Sequence, residues 1–402
     1  MVFSSCLWYN LETMAIKKRK QNIIFRNLTE NFNPLVFLSA LGAGGISVAA
    51  FVIIQYTLWT GNGLAVLSQV EMTTQTFMLE TIMIVFGLLH FILTVFYVPA
   101  FLKWIKTDSY KEFKENPLVN AGLMAPLLSF AMTLNVVIAT VRYFIDIMSS
   151  NFQTMMLPGF IGFAILWFII VNTEINLLKK TFTKGFDMDK IHFGWLLHPF
   201  ALAMIAVTGA GLSALSKTTW IADVSAFMTL VSGTMAAFLL TVKMFSIFKK
   251  HFNQEGALSN HFMPTYIIVI PVITLLALTV FRLGHYAEHN FAMHSIMELA
   301  KVSVVVAFAF QVWYFWFGLA MLRGYWKEYF KTHYHVSQWG LICPFVAFVV
   351  IGGFVYQIFA SYLMFSIFLN IILLIVAALY IYLLSRMYKC LSGKKEDKFI
   401  CD

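Results

Sequence analysis

Charge is what this sequence has least of. Asp, Glu, Lys and Arg make up 12% of its 402 residues, against about 25% in soluble globular domains. That scarcity excludes a water-soluble surface. Cysteine is scarce too: Cys6, Cys390 and Cys401 lie near the termini and Cys343 inside an apolar run, which gives no disulfide framework and no paired metal-ligand spacing. No metal or cofactor is expected. No phosphate-cradling glycine loop occurs, so ATP-driven transport is not expected. No secretory signal is expected either, because in "MVFSSCLWYNLETMAIKKRK" the basic cluster follows the short apolar stretch instead of preceding it; Met14 is an alternative start.

What fills the sequence is apolar. Hydrophobic residues make up 60% and mean hydropathy is +0.78. Runs of about 20 apolar residues cross a bilayer, and lipid obliges them to be helices. Ten runs are read at 34–57, 78–101, 121–143, 156–178, 193–215, 222–247, 263–283, 294–322, 338–358 and 361–385. The expected fold is an all-α integral membrane protein of ten transmembrane helices in five helical hairpins. A segment 1–33 precedes the domain 34–385, and a basic tail 386–402 follows it.

The net charge of +9 is unevenly spread. Lys17 to Lys20 with Arg26, Lys103 to Lys114, Lys179 to Lys190, Lys249 and Lys250, Arg323 to Lys331 and the tail from Arg386 onward fall on one side of the alternating connections. The other side offers only Arg142, Lys217 and Arg282 outside or at the edge of a span. By the positive-inside rule both termini are cytoplasmic, in a bacterial-type inner (plasma) membrane. The basic excess then marks topology and contact with the lipid bilayer, and no nucleic-acid partner is expected.

Proline divides the spans into two kinds. Pro126, Pro199, Pro271 and Pro344 recur at intervals of 73, 72 and 73 residues, with Pro34 at a longer step. Each lies early in an odd span, and a fixed period announces repeated units. Odd spans are rich in small residues, such as Gly42, Gly44 and Gly45 or Gly352 and Gly353, whereas even spans are bulkier, as in "FAFQVWYFWFGLAM". Small residues let helices approach closely in lipid. This suggests an inner ring of five kinked odd helices and an outer ring of five even ones. A solid bundle, with each proline merely curving its own helix, is the competing arrangement. Just before the prolines stand Asn33, Ala125, His198, Ile270 and Cys343. If all five face the axis they form a polar constriction.

Ten spans, proline-bearing odd helices, "FNPLVFLSALGAGGISVAAF" in the first span and "SQWGLICP" in the ninth together resemble the tellurite-resistance/dicarboxylate transporter family, which includes the plant slow anion channels. The resemblance covers about residues 30–390. It implies a homotrimer with a pore in each protomer, small anions as substrates, and a plugging phenylalanine before the ninth-span proline. Cys343 stands where that phenylalanine is expected, so the resemblance leaves the plug to a neighbour such as Phe345, or to another gate. It extends to a branch that carries cysteine or selenocysteine there, with links to sulfur or selenium metabolism.

The odd spans contain no Asp, Glu or Lys, and their only arginines are Arg142 and Arg282 at the outer ends. Proton-coupled carriers generally use intramembrane carboxylates, so the sequence favours a channel or uniporter, with His198 the one obvious proton site. The two arginines would attract anions at the outer mouth. "HYAEH", residues 285–289, matches a zinc-peptidase pattern but reads as a solvated external loop, and no enzyme activity is expected. The expectation is a membrane channel or transporter for small anions: halides, oxyanions, sulfur- or selenium-containing anions or C4-dicarboxylates. The alternative is a membrane-embedded redox or quinone-linked subunit that uses Cys343, His90 or His198.

Overall fold

The computed structural model describes residues 24–61, 63–253, 258–359, 361–392 and 400–401. Residues 1–23 of the expected N-terminal segment, with Cys6 and the Lys17 to Lys20 cluster, lie outside these, as do residues 393–399 of the tail.

Ten helices long and apolar enough to cross a membrane follow one another: Pro34–Leu58, Thr74–Trp104, Asn120–Phe144, Met156–Lys184, Phe193–Leu215, Thr219–Asn253, Met263–Phe291, His294–Met321, Val336–Ile358 and Leu363–Leu391. Among the described residues the only strands are His333–Tyr334 and Ile400–Cys401, which pair in parallel. Most even spans run beyond their apolar cores. Thr219–Asn253, for example, continues through Lys249 and Lys250, because a helix needs no apolar residues once it has left hydrocarbon.

The two kinds of span differ in burial. The apolar windows of the odd spans are 94, 50, 89, 67 and 72% buried, those of the even spans only 28 to 33%. Span one packs on three, three on five, five on seven, seven on nine, and nine back on one. Each even span lies against two neighbouring odd spans. Its outward face carries side chains such as Phe168, Phe238 and Trp316, exposed apolar groups that suit lipid. Close approach is bought with missing side chains: a Cβ on Gly209 would lie 2.4 Å from both Phe163 and Thr229 on the flanking even spans.

Every odd span begins with a 3-10 turn: Pro34–Val36, Asn120–Leu123, Phe193–Leu196, Met263–Ile267 and Val336–Leu341. Pro126, Pro199, Pro271 and Pro344 are each the third residue of the α-helix that follows. The missing N–H falls in the first turn, where donors lack helical partners anyway. The prolines therefore mark a junction between two helical forms and do not bend a helix at mid-length. Departures from α geometry further along are π segments, Ile54–Leu58 and Val137–Val141.

The five 3-10 turns contact one another in the same cyclic order as their helices, and they are closely packed. Phe37, Leu196, Tyr266, Ile267, Trp339 and Leu341 are all buried there. Hydrogen bonds lock the layer: the Trp339 indole donates to Tyr334 Oη at 2.9 Å, Tyr380 Oη to the Ser39 carbonyl at 3.0 Å, and Tyr314 Oη to the Tyr266 carbonyl at 3.1 Å.

Two sequence expectations change. "HYAEH" is helical, since Val269–Phe291 runs through it and ends only at Ala292, whose φ of 53° and N–H bond to the Glu288 carbonyl form a left-handed cap. Cys390 and Cys401 form a disulfide, although sequence spacing gives no reason to pair them; the short strand at Ile400–Cys401 brings the second thiol back to the end of span ten.

Candidate functional site

A cavity of about 190 Å³ is lined by residues of all five odd spans. Each contributes one helical stripe. Span nine presents Cys343, Val346, Ala347, Val350 and Phe354, and span five Phe200, Met204, Val207, Thr208 and Gly211. These steps of three and four residues are one face of an α-helix. The cavity begins at the proline level, with Leu41, Phe200, Pro271 and Cys343. It extends to Leu215, Arg282 and Phe354 at the end where basic loops are absent.

Its wall is mostly apolar, and several of its polar groups are occupied. Asn135 donates to the Thr208 hydroxyl at 2.9 Å and to the Ala131 carbonyl at 3.0 Å. Thr208 in turn donates to the Met204 carbonyl, and Thr274 to that of Ile270 while accepting from Gln311 at 2.5 Å. The one cationic lining residue is Arg282. It donates to Tyr56 Oη at 3.2 Å and lies 5.6 Å from the Phe354 ring centroid. Among the described residues it has no carboxylate within ion-pair distance.

The residues singled out from sequence divide sharply. Cys343 lines the cavity and is unpaired and 7% exposed. Phe345 does not line it: its ring packs on Phe315 at 4.9 Å and faces a groove between spans eight, nine and ten. Two residues turn a helix by about 200°, so if residue 343 points inward, residue 345 points away. Asn33 caps the first 3-10 turn, accepting from the Leu35 N–H at 3.0 Å. Ala125 and Ile270 are fully buried in packing. His198 turns to span four, where its Nδ1 lies 2.5 Å from Glu174 Oε2. None of these four belongs to the lining. The imagined ring of pre-proline residues is thus not assembled, because the odd helices are rotated differently about their axes at the same proline register.

Arg142 and Arg282 also part ways. Arg142 is buried away from the cavity and donates to the carbonyls of Ile138 at 3.0 Å and Ala65 at 2.8 Å and to Ser149 Oγ at 3.3 Å. Its guanidinium is committed to holding the loop after span one. His90, considered as a redox ligand, bridges the Ala40 carbonyl at 2.8 Å and Thr133 Oγ1 at 2.9 Å, so both ring nitrogens are engaged. Glu288 of "HYAEH" lies 3.9 Å from His285 of the same motif and 3.0 Å from His294 beyond it. Among the described residues no group of three or more His, Cys, Asp or Glu could hold a metal ion.

Sequence reasoning missed Phe200, the aromatic at the cavity floor. Its signal was available: stepping by three and four residues from Gly211 and Met204 leads to it. The buried carboxylate Glu174 was missed because it comes from an even span.

A family model described as SLAC1, voltage-dependent anion channel, matches residues 31–388. No curated protein compared with the chain matches it.

Proposed function

The chain belongs to the SLAC1 family of voltage-dependent anion channels, the tellurite-resistance/dicarboxylate transporter family that its sequence resembles, and we propose that it passes small anions across a membrane through the cavity between its odd spans. Family membership supports a channel or transporter and not an enzyme. In this reading the odd spans form an inner ring and the even spans an outer one, supported by the closed circle of odd-span contacts.

Arg282 carries the argument. A lone guanidinium without a carboxylate partner among the described residues, at one end of an otherwise uncharged cavity, favours anions over cations and focuses them toward the passage. A volume of about 190 Å³ suits a small anion. Candidate substrates are halides, oxyanions, sulfur- or selenium-containing anions and C4-dicarboxylates. We further propose a homotrimer with one pathway per protomer, on the family resemblance.

The test is a flux screen in proteoliposomes with chloride, nitrate, malate, sulfite, thiosulfate and selenite. Flux of at least one is expected, and Cys343→Phe is expected to lower it by placing a phenyl ring at the cavity floor. Unchanged flux in that variant would remove residue 343 from the pathway, and no flux of any anion would sink the reading.

We propose cytoplasmic termini, in a bacterial-type inner membrane, on the charge asymmetry of the loops. The Cys390–Cys401 disulfide argues the other way, since reducing compartments keep thiols free. Labelling of both cysteines in intact cells with a membrane-impermeant thiol reagent, before and after reduction and permeabilisation, decides between the two. Reaction only after permeabilisation is expected.

A further inference from the structure

We propose that Glu174, His198 and Lys243 form an intramembrane proton-binding site whose charge controls anion passage past Phe200. The proposal builds on the anion-pathway reading and adds a second ligand, the proton, at a separate place.

The three residues come from spans four, five and six, and none is more than 4% exposed. Ionisable groups buried at membrane depth are expensive and are generally found where they serve function. Glu174 Oε2 lies 2.5 Å from His198 Nδ1. The Lys243 ammonium donates to the Trp195 carbonyl at 3.3 Å and lies 4.6 Å from the Trp195 ring centroid. No other charged group among the described residues acts on Glu174 or His198.

Two atoms of the pair are left over. Glu174 Oε1 and His198 Nε2 are buried without a hydrogen-bond partner among the described residues. A cluster that served packing alone would be expected to satisfy its polar atoms, and a buried ion pair adds little stability compared with apolar side chains of similar size. The unused ring nitrogen has a use if it takes up a proton.

The charges make the consequence definite. A glutamate carboxylate and a lysine ammonium cancel, and a neutral His198 donates its Nδ1–H to the carboxylate. The lone pair on Nε2 then takes up a proton from hydronium, releasing water; no electrons change hands, and the cluster becomes +1. His198 precedes Phe200 by two residues on the same helix, so the cluster and the cavity floor occupy opposite faces of span five. Uptake of the proton places positive charge directly behind the floor and strengthens its attraction for an anion.

The experiment measures nitrate and chloride flux by the full chain in proteoliposomes between pH 5 and 8. Flux is expected to rise roughly fivefold or more as pH falls, and His198→Gln to make it independent of pH. Glu174→Gln should move the midpoint to lower pH and Lys243→Met to higher pH, since one removes a negative and the other a positive neighbour of the ring. A wild-type pH profile in His198→Gln overturns the proposal. If that variant does not fold, midpoints unmoved in both Glu174→Gln and Lys243→Met overturn it. If no anion flux is seen at any pH, the pathway reading fails by itself, and the proton site is judged from the pH dependence of thermal unfolding of the same preparations. An acid-dependent shift that disappears in His198→Gln supports the site, and an identical profile in both proteins overturns it.

Discussion

The two ends of the odd spans are built for opposite purposes. At one end, five 3-10 turns interlock through buried aromatics such as Trp339, Tyr266 and Phe37, with tyrosine hydroxyls bonded to backbone carbonyls and the Trp339 indole to a tyrosine hydroxyl. At the other, the same helices stand apart around a cavity walled by Gly45, Val346, Met204 and similar residues. The passage from one regime to the other falls at the prolines, where 3-10 turn becomes α-helix. The closed end owes its rigidity to side chains that satisfy one another across spans. The open end is walled by apolar side chains that leave a gap between the helices. On the proposed anion-pathway reading, a gate therefore belongs at the proline level, where the cavity meets the closed layer.

The comparison is first sharpened by two arginines at the open end. Arg142→Gln removes a group that bonds two carbonyls and a serine, leaving buried acceptors unpaired at about 1 to 3 kcal/mol. A clear drop in thermal stability is expected, with the anion preference of the surviving protein unchanged. Arg282→Gln is expected to do the reverse: stability near wild type and flux reduced about fivefold, equivalent to roughly 1 kcal/mol. Equal loss of flux in both variants, normalised to folded protein, would dissolve the distinction between a structural and a pathway arginine.

Between these in size stands Phe200. If the floor is the main obstacle, Phe200→Ala should raise flux about tenfold, which corresponds to about 1.4 kcal/mol of barrier. An unchanged rate would move the obstacle deeper, into the layer around Trp339 and Tyr266.

The ten spans were legible because hydrocarbon imposes length and apolarity on any helix that crosses it. The proline period pointed correctly to a difference between odd and even spans, visible in the burial of Gly44 and Gly209 against the exposure of Phe168 and Trp316. It did not report helix rotation. A shared proline puts Cys343 at the cavity in span nine yet turns His198 away in span five, where Phe200 faces inward instead. Rotation is set by packing against neighbours, which one sequence does not display. The same holds for Glu174. Judged alone, it is one polar residue near the basic-loop end of an even span; its contact with His198 on another helix is what sets it apart.

The smallest effect concerns the closed end. His192 stands just before span five, its ring stacked on Phe262 with centroids 3.7 Å apart and its Nδ1 accepting the Gly194 N–H at 3.1 Å. Burial pushes its pKa down to about 4, below the ordinary value of about 6.5. The folded protein keeps the ring neutral at a pH where the unfolded chain protonates it. Stability is therefore unaffected a unit or more above about pH 6.5, begins to fall as that value is approached, and is lost progressively toward about pH 4. Between pH 7.5 and 6 the loss from this ring should be just under about 1 kcal/mol. His192→Gln, which has no proton to gain, should show a correspondingly shallower fall in thermal unfolding temperature across that interval. An equal slope in both proteins would mean that the closed end admits water to the ring, and the contrast with the open cavity would be weaker than its packing implies.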